Sequence, residues 1–251
     1  MKKIDLKEVS PAKNQLNLFG YKEYFNSLLK LHKKQSLPKT LLLSGPKGLG
    51  KSTFAYHIIN YILSQNEENK YLLDKFIINN ENKSYKLLIE NIHPNFFLID
   101  NNYLEKDIKI EQVRNLSKFL SKTTYLKEIK IILIDNVEFL NLNASNALLK
   151  GLEEPPANTF FFIIHNSTAK IPDTIKSRCT NFKIFFTLDE KINIFNNLLN
   201  KYEFKNDDIE EIKNCYFDTP GNILKYFTII SNQKIEDRRD SLFCIFFFME
   251  K

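Results

Sequence analysis

The sequence predicts an α/β fold, a parallel β-sheet covered by helices on both faces, followed by a smaller all-helical part. Three observations carry this. Residues 40–43, 96–99, 130–134 and 159–164 are short, almost wholly apolar runs, and they alternate with stretches of helical periodicity. Strands buried on both faces read as continuous apolar runs, and alternation with helices implies parallel pairing. Three of the six glycines fall between positions 45 and 50, directly after the first apolar run. From Leu188 onward only helical patterns remain.

Taken in order, residues 21–35 place Tyr21, Tyr24, Phe25, Leu28, Leu29 and Leu31 at helical spacing, and Pro38 ends that segment. Residues 40–43 form the first strand, 45–50 a loop and 51–63 a second helix. Residues 65–92 are rich in Asn, Glu and Lys with an apolar patch at 76–78, and read as a surface insertion of open structure. A strand at 96–99 precedes an amphipathic helix at 110–120. A third strand spans 130–134, and a helix over 144–152 is stopped by Pro155-Pro156. Residues 159–164 give the fourth strand. The tail reads as helices at 188–200, 207–214, 221–231 and 234–249. The change of pattern near 183–187 marks a boundary, giving an α/β domain over 1–183, a helical domain over 184–232 and a last helical segment over 233–251.

The chain has 251 residues, 43% hydrophobic and 26% charged, which is ordinary globular composition and excludes wholesale disorder. Six Gly and eight Pro exclude collagen-like and low-complexity readings. Cys179, Cys215 and Cys244 are odd in number and far apart, so they suggest neither a disulfide framework nor a zinc cage. Residues 1–15 have no apolar core, and the longest apolar run, 242–249, is well short of a membrane span. These features suit a soluble protein of the reducing cytoplasm with no membrane partner. The net charge of +6 is spread over single lysines, which fits a solvated surface or a share in nucleic-acid binding.

Gly45-Pro46-Lys47-Gly48-Leu49-Gly50-Lys51-Ser52 matches the phosphate-loop pattern in full, between a predicted strand and a predicted helix that begins with Lys51, Ser52 and Thr53. The chemistry requires these residue types. Side-chain-free loop positions let backbone N–H groups turn inward on phosphate oxygens, and the following helix N-terminus adds partial positive charge. Lys51 is placed to reach the β- and γ-phosphates, and Ser52 to hold Mg²⁺ through its hydroxyl. Asp135, closing the apolar run 131–134, is the candidate for the Mg²⁺ shell; an Asp there is otherwise a turn former. Next to it stands Asn136, an amide that cannot take a proton from water. Glu138 is a substitute base only if the strand continues past Asp135.

Beyond these, the string Asn146-Ala147-Leu148-Leu149-Lys150-Gly151-Leu152-Glu153-Glu154-Pro155-Pro156 and the later Ser177-Arg178-Cys179 are highly specific. With the phosphate loop, His93-Pro94 leading a strand, the helix at 110–120 and Asp135, they resemble the AAA+ clamp loaders of DNA replication, over about residues 17–226. The resemblance implies a P-loop AAA+ domain, a helical lid over 184–232 and the start of a collar domain, incomplete at 233–251. It is nearer to the delta-prime type of subunit in bacterial DNA polymerase III than to the tau/gamma motor type. Asn136 replaces the motor's catalytic Glu, and Leu224 occupies the place of the motor's lid arginine.

The resemblance further implies that Asn166 is the first sensor of the nucleotide and that Arg178 is an arginine finger serving a neighbouring ATPase subunit. It implies as partners the tau/gamma and delta subunits in a ring, a sliding clamp, and primed DNA through the complex. The residues themselves leave Arg178 open as a structural helix-end arginine, although only Arg114, Arg178, Arg238 and Arg239 among 36 basic residues are Arg. ATP with Mg²⁺ is the expected ligand, hydrolysis is left open, and no zinc is expected because 65–92 contains no Cys. The alternatives are a motor-type ATPase with Glu138 as base, and an AAA+ protein that binds DNA outside a ring.

Overall fold

In the computed structural model, residues 10–101, 107–121, 129–202 and 218–231 are described, with side chains up to residue 226 in the last range. Five strands pair in parallel in one sheet: β1 (Thr40–Gly45), β2 (Phe96–Ile99), β3 (Lys130–Ile134), β4 (Thr159–Asn166) and β5 (Thr180–Lys183), in the order β2-β3-β4-β1-β5. The registers set Leu42 beside Ile163, Ile99 beside Ile134 and Leu133 beside Phe162. The central strands β1 and β3 are buried along their whole length, as their unbroken apolar runs require.

Around the sheet lie α1 (Lys22–Lys33), α2 (Lys51–Leu63), α3 (Lys83–Ile89), α4 (Ile110–Ser121), α5 (Leu142–Glu153) and the short α6 (Asp173–Lys176). One core layer joins Leu42, Ile132, Ile134, Phe161 and Ile163 of the sheet to Val113 and Leu116 of α4 and Leu148 and Leu152 of α5. The alternate residues Leu41, Leu43, Ile131, Leu133 and Phe162 are buried too, on the face where α2 meets β1 and β4. Burying each such side chain contributes about 1.5–3 kcal/mol. Lys130 opens β3 yet is buried, because its ammonium group caps α4 by donating to Phe119 O and Leu120 O at 3.1 and 3.2 Å.

Three local readings of the sequence change. Strand β5 was not expected; it pairs with β1 at the sheet edge, and its burial is slight. Strands β1 and β4 run further than 43 and 164, to Gly45 and Asn166. Residues 65–92 are ordered where the sequence left their structure open. Glu67 accepts from Lys83 N and Ser84 N, the first two amides of α3, and from the Ser84 hydroxyl. Asn82 caps the same helix through Tyr85 N and accepts from Asn60 Nδ2 at 2.9 Å. The apolar patch contributes too, since Ile77 bridges both Asn17 and Leu72, and Phe76 meets Phe25 edge-on. A buried polar network there does part of the work that an apolar core does elsewhere.

The contacts group Ala12–Pro46 and Gly50–Phe185 into one compact unit, and Lys47–Leu49 with the chain from Phe186 into another. The second unit contains α7 (Leu188–Lys201) and α8 (Pro220–Ser231). Helix α7 opens with a capping box in which Thr187 and Glu190 satisfy each other's amides. Within this unit Thr219 Oγ1 donates to Lys47 O at 2.8 Å, and Gly221 N to Gly48 O at 2.9 Å. The helices expected at 207–214 and 234–249, and the collar segment over 233–251, lie outside the described residues.

Candidate functional site

Strand β1 delivers the chain to the phosphate loop, and α2 takes it away. Gly50 turns the corner with φ +85° as the residue before α2, a left-handed conformation that glycine adopts without strain. Gly48 has the same φ, and a side chain there would strike Thr219 Oγ1 at 2.3 Å, so that position has no room for one. Leu49 is buried and Thr53 sits half-buried in the first turn of α2. Lys51 is buried and folds its ammonium group back on its own loop, donating to Gly45 O at 2.8 Å and Pro46 O at 2.7 Å. Burial lowers its pKa to about 8, against the opposite pull of the Glu138 and Asp135 carboxylates.

Ser52 Oγ donates to Asp135 Oδ1 at 2.9 Å, so a hydroxyl on α2 and a carboxylate at the end of β3 converge beside Lys51. Desolvation pushes Asp135 up to about 6, partly offset by the Ser52 hydrogen bond. Two further residues share this corner, and sequence reasoning did not include them. Asp100 ends β2 as Asp135 ends β3, and the pairing of Ile99 with Ile134 sets the two acids side by side. Its pKa is also raised by desolvation. Tyr56 of α2 is buried there, its phenol pushed well up by desolvation and by both carboxylates. The parallel register of the two strand ends was the signal that could have revealed Asp100.

Strand β3 does not continue past Asp135. Asn136 takes the left-handed conformation, φ 58° and ψ 59°, and its amide donates toward Asn101 Oδ1 at 3.4 Å. Glu138 therefore lies in a 3-10 turn, where its carboxylate accepts from Asn166 N at 3.3 Å. The condition under which Glu138 was a substitute base, a continuing strand, is not met. Asn166 ends β4 beside Gly45 in register, and its side chain accepts from Thr168 N and Oγ1. Leu224 is buried within α8.

Arg178 is not brought to this corner. It lies between α6 and β5, and its carbonyl accepts from Thr40 Oγ1 at 2.7 Å, at the start of β1. Gly45 and the phosphate loop are at the other end of that six-residue strand, about 16 Å away at ~3.3 Å per residue. The guanidinium is on the surface, paired with the Glu153 carboxylate. Cys179 next to it is half-buried, with its thiol pushed up to about 11 by desolvation, so it is mostly protonated and unreactive at neutral pH.

The oxygen ligands Ser52 Oγ and Asp135 Oδ1 suit a hard divalent cation, and the loop's amides with the α2 N-terminus suit phosphate. Among the described residues no three His, Cys, Asp or Glu side chains converge as a metal cage, so a cation here would need phosphate oxygens and water to complete its shell. Among the described residues no helix is long and apolar enough to cross a membrane.

Residues 20–186, more than half of the chain, match the family model described as DNA polymerase III, delta subunit. The chain belongs to this clamp-loader family. Within it the resemblance is to delta-prime. The delta-prime subunit of Pseudomonas aeruginosa is 37% identical over 138 residues, 55% of this chain and 40% of that protein. The delta-prime subunit of Buchnera aphidicola subsp. Baizongia pistaciae is 24% identical over 272 aligned positions, covering 89% and 75%. A gamma subunit, from Buchnera aphidicola subsp. Schizaphis graminum, is 33% identical over 161 residues, 64% of this chain and 42% of that one. This chain spans about two-fifths to one-half of the length of several of its delta-prime and gamma relatives. Among solved structures the fold is that of AAA+ P-loop proteins. The Holliday junction branch migration motor RuvB of Thermotoga maritima superposes with a TM-score of 0.53 at 16% identity, over 88% of this chain and 65% of that one.

Proposed function

We propose that this member of the clamp-loader family works as a delta-prime-type subunit. It binds ATP with Mg²⁺ at the loop 45–52, turns it over negligibly by itself, and presents Arg178 to the nucleotide site of an adjacent ATPase subunit. Its setting is a cytoplasmic ring with tau/gamma and delta subunits that opens a sliding clamp and places it on primed DNA. The observation that carries this reading is the position of Arg178, one full strand length from its own phosphate loop and on the surface. An arginine so placed is out of reach of its own nucleotide and accessible to another chain's.

At the chain's own site Lys51 would leave its two carbonyl partners for phosphate oxygens. Ser52 and Asp135 would hold Mg²⁺, which neutralises phosphate charge. No carboxylate follows Asp135 to accept a proton from water; Asn136 stands there, its amide beside Asp100 and Asn101. Arginine suits a role at a neighbour's site because its planar fork stays charged and bonds phosphate oxygens in pairs.

A second reading, a motor-type ATPase with Glu138 as base, draws on the electrostatic influence of Glu138 on both Lys51 and Asp135. The bond from Asn166 N to that carboxylate opposes it. Steady-state ATP turnover by the purified chain separates the two. Binding of a fluorescent ATP analogue, lost in Lys51→Ala, without turnover, supports the delta-prime reading; turnover lost in Glu138→Gln establishes the motor reading. In a complex reconstituted with an ATPase subunit, Arg178→Ala should leave assembly intact and sharply lower ATPase, and Arg178→Lys should restore little of it. Full ATPase with Arg178→Ala would refute the trans role.

A further inference from the structure

Arg178 does not swing freely on the surface. Its backbone is fixed at both groups: the carbonyl accepts from Thr40 Oγ1 at 2.7 Å and the amide donates to Ile175 O at 3.2 Å. The guanidinium is held as well. Nε donates to Glu153 Oε1 at 2.8 Å, Nη2 donates to the same oxygen, and Nη1 donates to Thr174 O at 2.8 Å. Glu153 closes α5, at the start of the Glu-Glu-Pro-Pro end of the 146–156 string.

A guanidinium carries five N–H donors. Glu153 takes the side-on pair, from Nε and Nη2, and Thr174 takes one proton of Nη1. One proton on Nη1 and one on Nη2 remain, with only a contact at the outer limit, Ser177 Oγ at 3.5 Å, near the former. Donor capacity on the terminal nitrogens is what grips phosphate oxygens. The pair lies at the surface, Arg178 30% and Glu153 49% exposed, and surface ion pairs contribute little to stability. Fixing a long flexible side chain before a ligand arrives, by contrast, removes an entropic cost from binding it.

We infer that Glu153 is the positioning residue of Arg178, holding the guanidinium through Nε and Nη2 in place for a phosphate group of another chain's nucleotide. The inference rests on the trans role of Arg178 and adds to it a second residue. Glu153 touches no phosphate itself.

The test uses the full chain assembled with an ATPase clamp-loader subunit, in four forms: unaltered, Glu153→Gln, Arg178→Ala and the double variant. Steady-state ATP turnover gives kcat and KM, and thermal unfolding checks folding. Positioning predicts that Glu153→Gln lowers kcat about tenfold, the scale of a catalytic group displaced by a fraction of an ångström, with KM for ATP unchanged. The double variant should be no slower than Arg178→Ala alone, because Glu153 acts only through Arg178. An unchanged or increased kcat in Glu153→Gln, with Arg178→Ala still impaired, overturns the positioning role and leaves the trans role standing. A loss in the double variant equal to the product of the two single losses, with a lowered unfolding temperature, makes Glu153 structural. Full kcat in Arg178→Ala refutes the trans role, and the inference falls with it.

Discussion

Replacing Asp135 by Asn should stabilise the nucleotide-free protein while abolishing its use of Mg²⁺. Burial pushes the Asp135 carboxyl from 3.8 up to about 6; the Ser52 hydrogen bond and the Asn136 amide oppose the rise, and the Asp100 and Glu138 carboxylates add to it. At pH 7 the folded chain therefore holds an ionised carboxylate that is about two pKa steps less comfortable than in the unfolded chain. At ~1.4 kcal/mol per step this is about 3 kcal/mol at most, and about 2 kcal/mol once the partial exposure of the site is allowed for. Asn is isosteric and its oxygen still accepts from Ser52, so most of that cost should disappear.

The pH dependence gives the sign. Between pH 4 and about 6 the folded chain keeps this proton while the unfolded chain has released it. The folded state binds more protons there, so raising the pH lowers stability across that window. Above about 6 both states are ionised and the penalty is constant; below 4 both are protonated and it vanishes. Asp135→Asn minus wild type should thus show no difference near pH 4 and a gain reaching about 2 kcal/mol by pH 7, or an unfolding temperature ~4–8 °C higher. Thermal unfolding by circular dichroism, scanned at each pH without nucleotide, measures it. Titration calorimetry with ATP should show Mg²⁺ strengthening binding to wild type and not to the variant, with the two alike in EDTA. A variant that melts at or below wild type at pH 7 would show that the carboxylate bears no desolvation cost. Mg²⁺ strengthening the variant equally would remove Asp135 from the metal shell.

Further outcomes follow from other residues. Lys51 has a pKa of about 8 in the free protein, so nucleotide affinity should fall above pH 8, by up to tenfold per pH unit, in fluorescence titrations. Gly221→Ala would set a side chain 2.6 Å from Gly48 O; hydrogen exchange in α8 should accelerate about 10–100-fold, reflecting ~1–3 kcal/mol of overpacking. Glu67→Ala strips the acceptor from two amides and a hydroxyl at the start of α3. Limited proteolysis should then cut within 65–92 at least tenfold faster, for a loss of ~1–3 kcal/mol, while the sheet's far-ultraviolet signal persists. Phe162→Ala empties a fully buried site in β4 and should cost ~3–5 kcal/mol by denaturant unfolding.

What could be read from the sequence was what local chemistry demands. The phosphate loop was legible because a left-handed backbone at Gly48 and Gly50, and an absent side chain against Thr219, leave glycine as the residue that fits. The central strands were legible because burial on two faces leaves no polar positions to interrupt them. Strand β5 was not: Thr180-Asn181-Phe182-Lys183 is exposed at three of its four positions, and its pairing with β1 comes from residues about 140 positions earlier. Helix α3 escaped for the same reason, since the acceptor for its first amides, Glu67, lies 16 and 17 residues before them. The sheet's own ends concealed Asp100, whose role depends on the register of β2 against β3.

The same distinction bears on Asn136. Its identity, an amide where the motor type has a glutamate, could be read directly; its conformation could not. The structure shows the residue in the left-handed region, which Asn tolerates far better than Glu does. The turn and the missing base thus belong together: the backbone that ends β3 abruptly sets the Asn136 amide beside Asp100 and Asn101 and leaves Glu138 to be held by the Asn166 amide. Restoring a glutamate at 136 would place a carboxylate on a backbone that disfavours it, beside the Asp100 carboxylate that the Asn136 amide now hydrogen-bonds. The absence of a carboxylate at 136 therefore goes with the chain's path as well as with one side chain, while Lys51 holds the carbonyls of Gly45 and Pro46 and Ser52 holds Asp135.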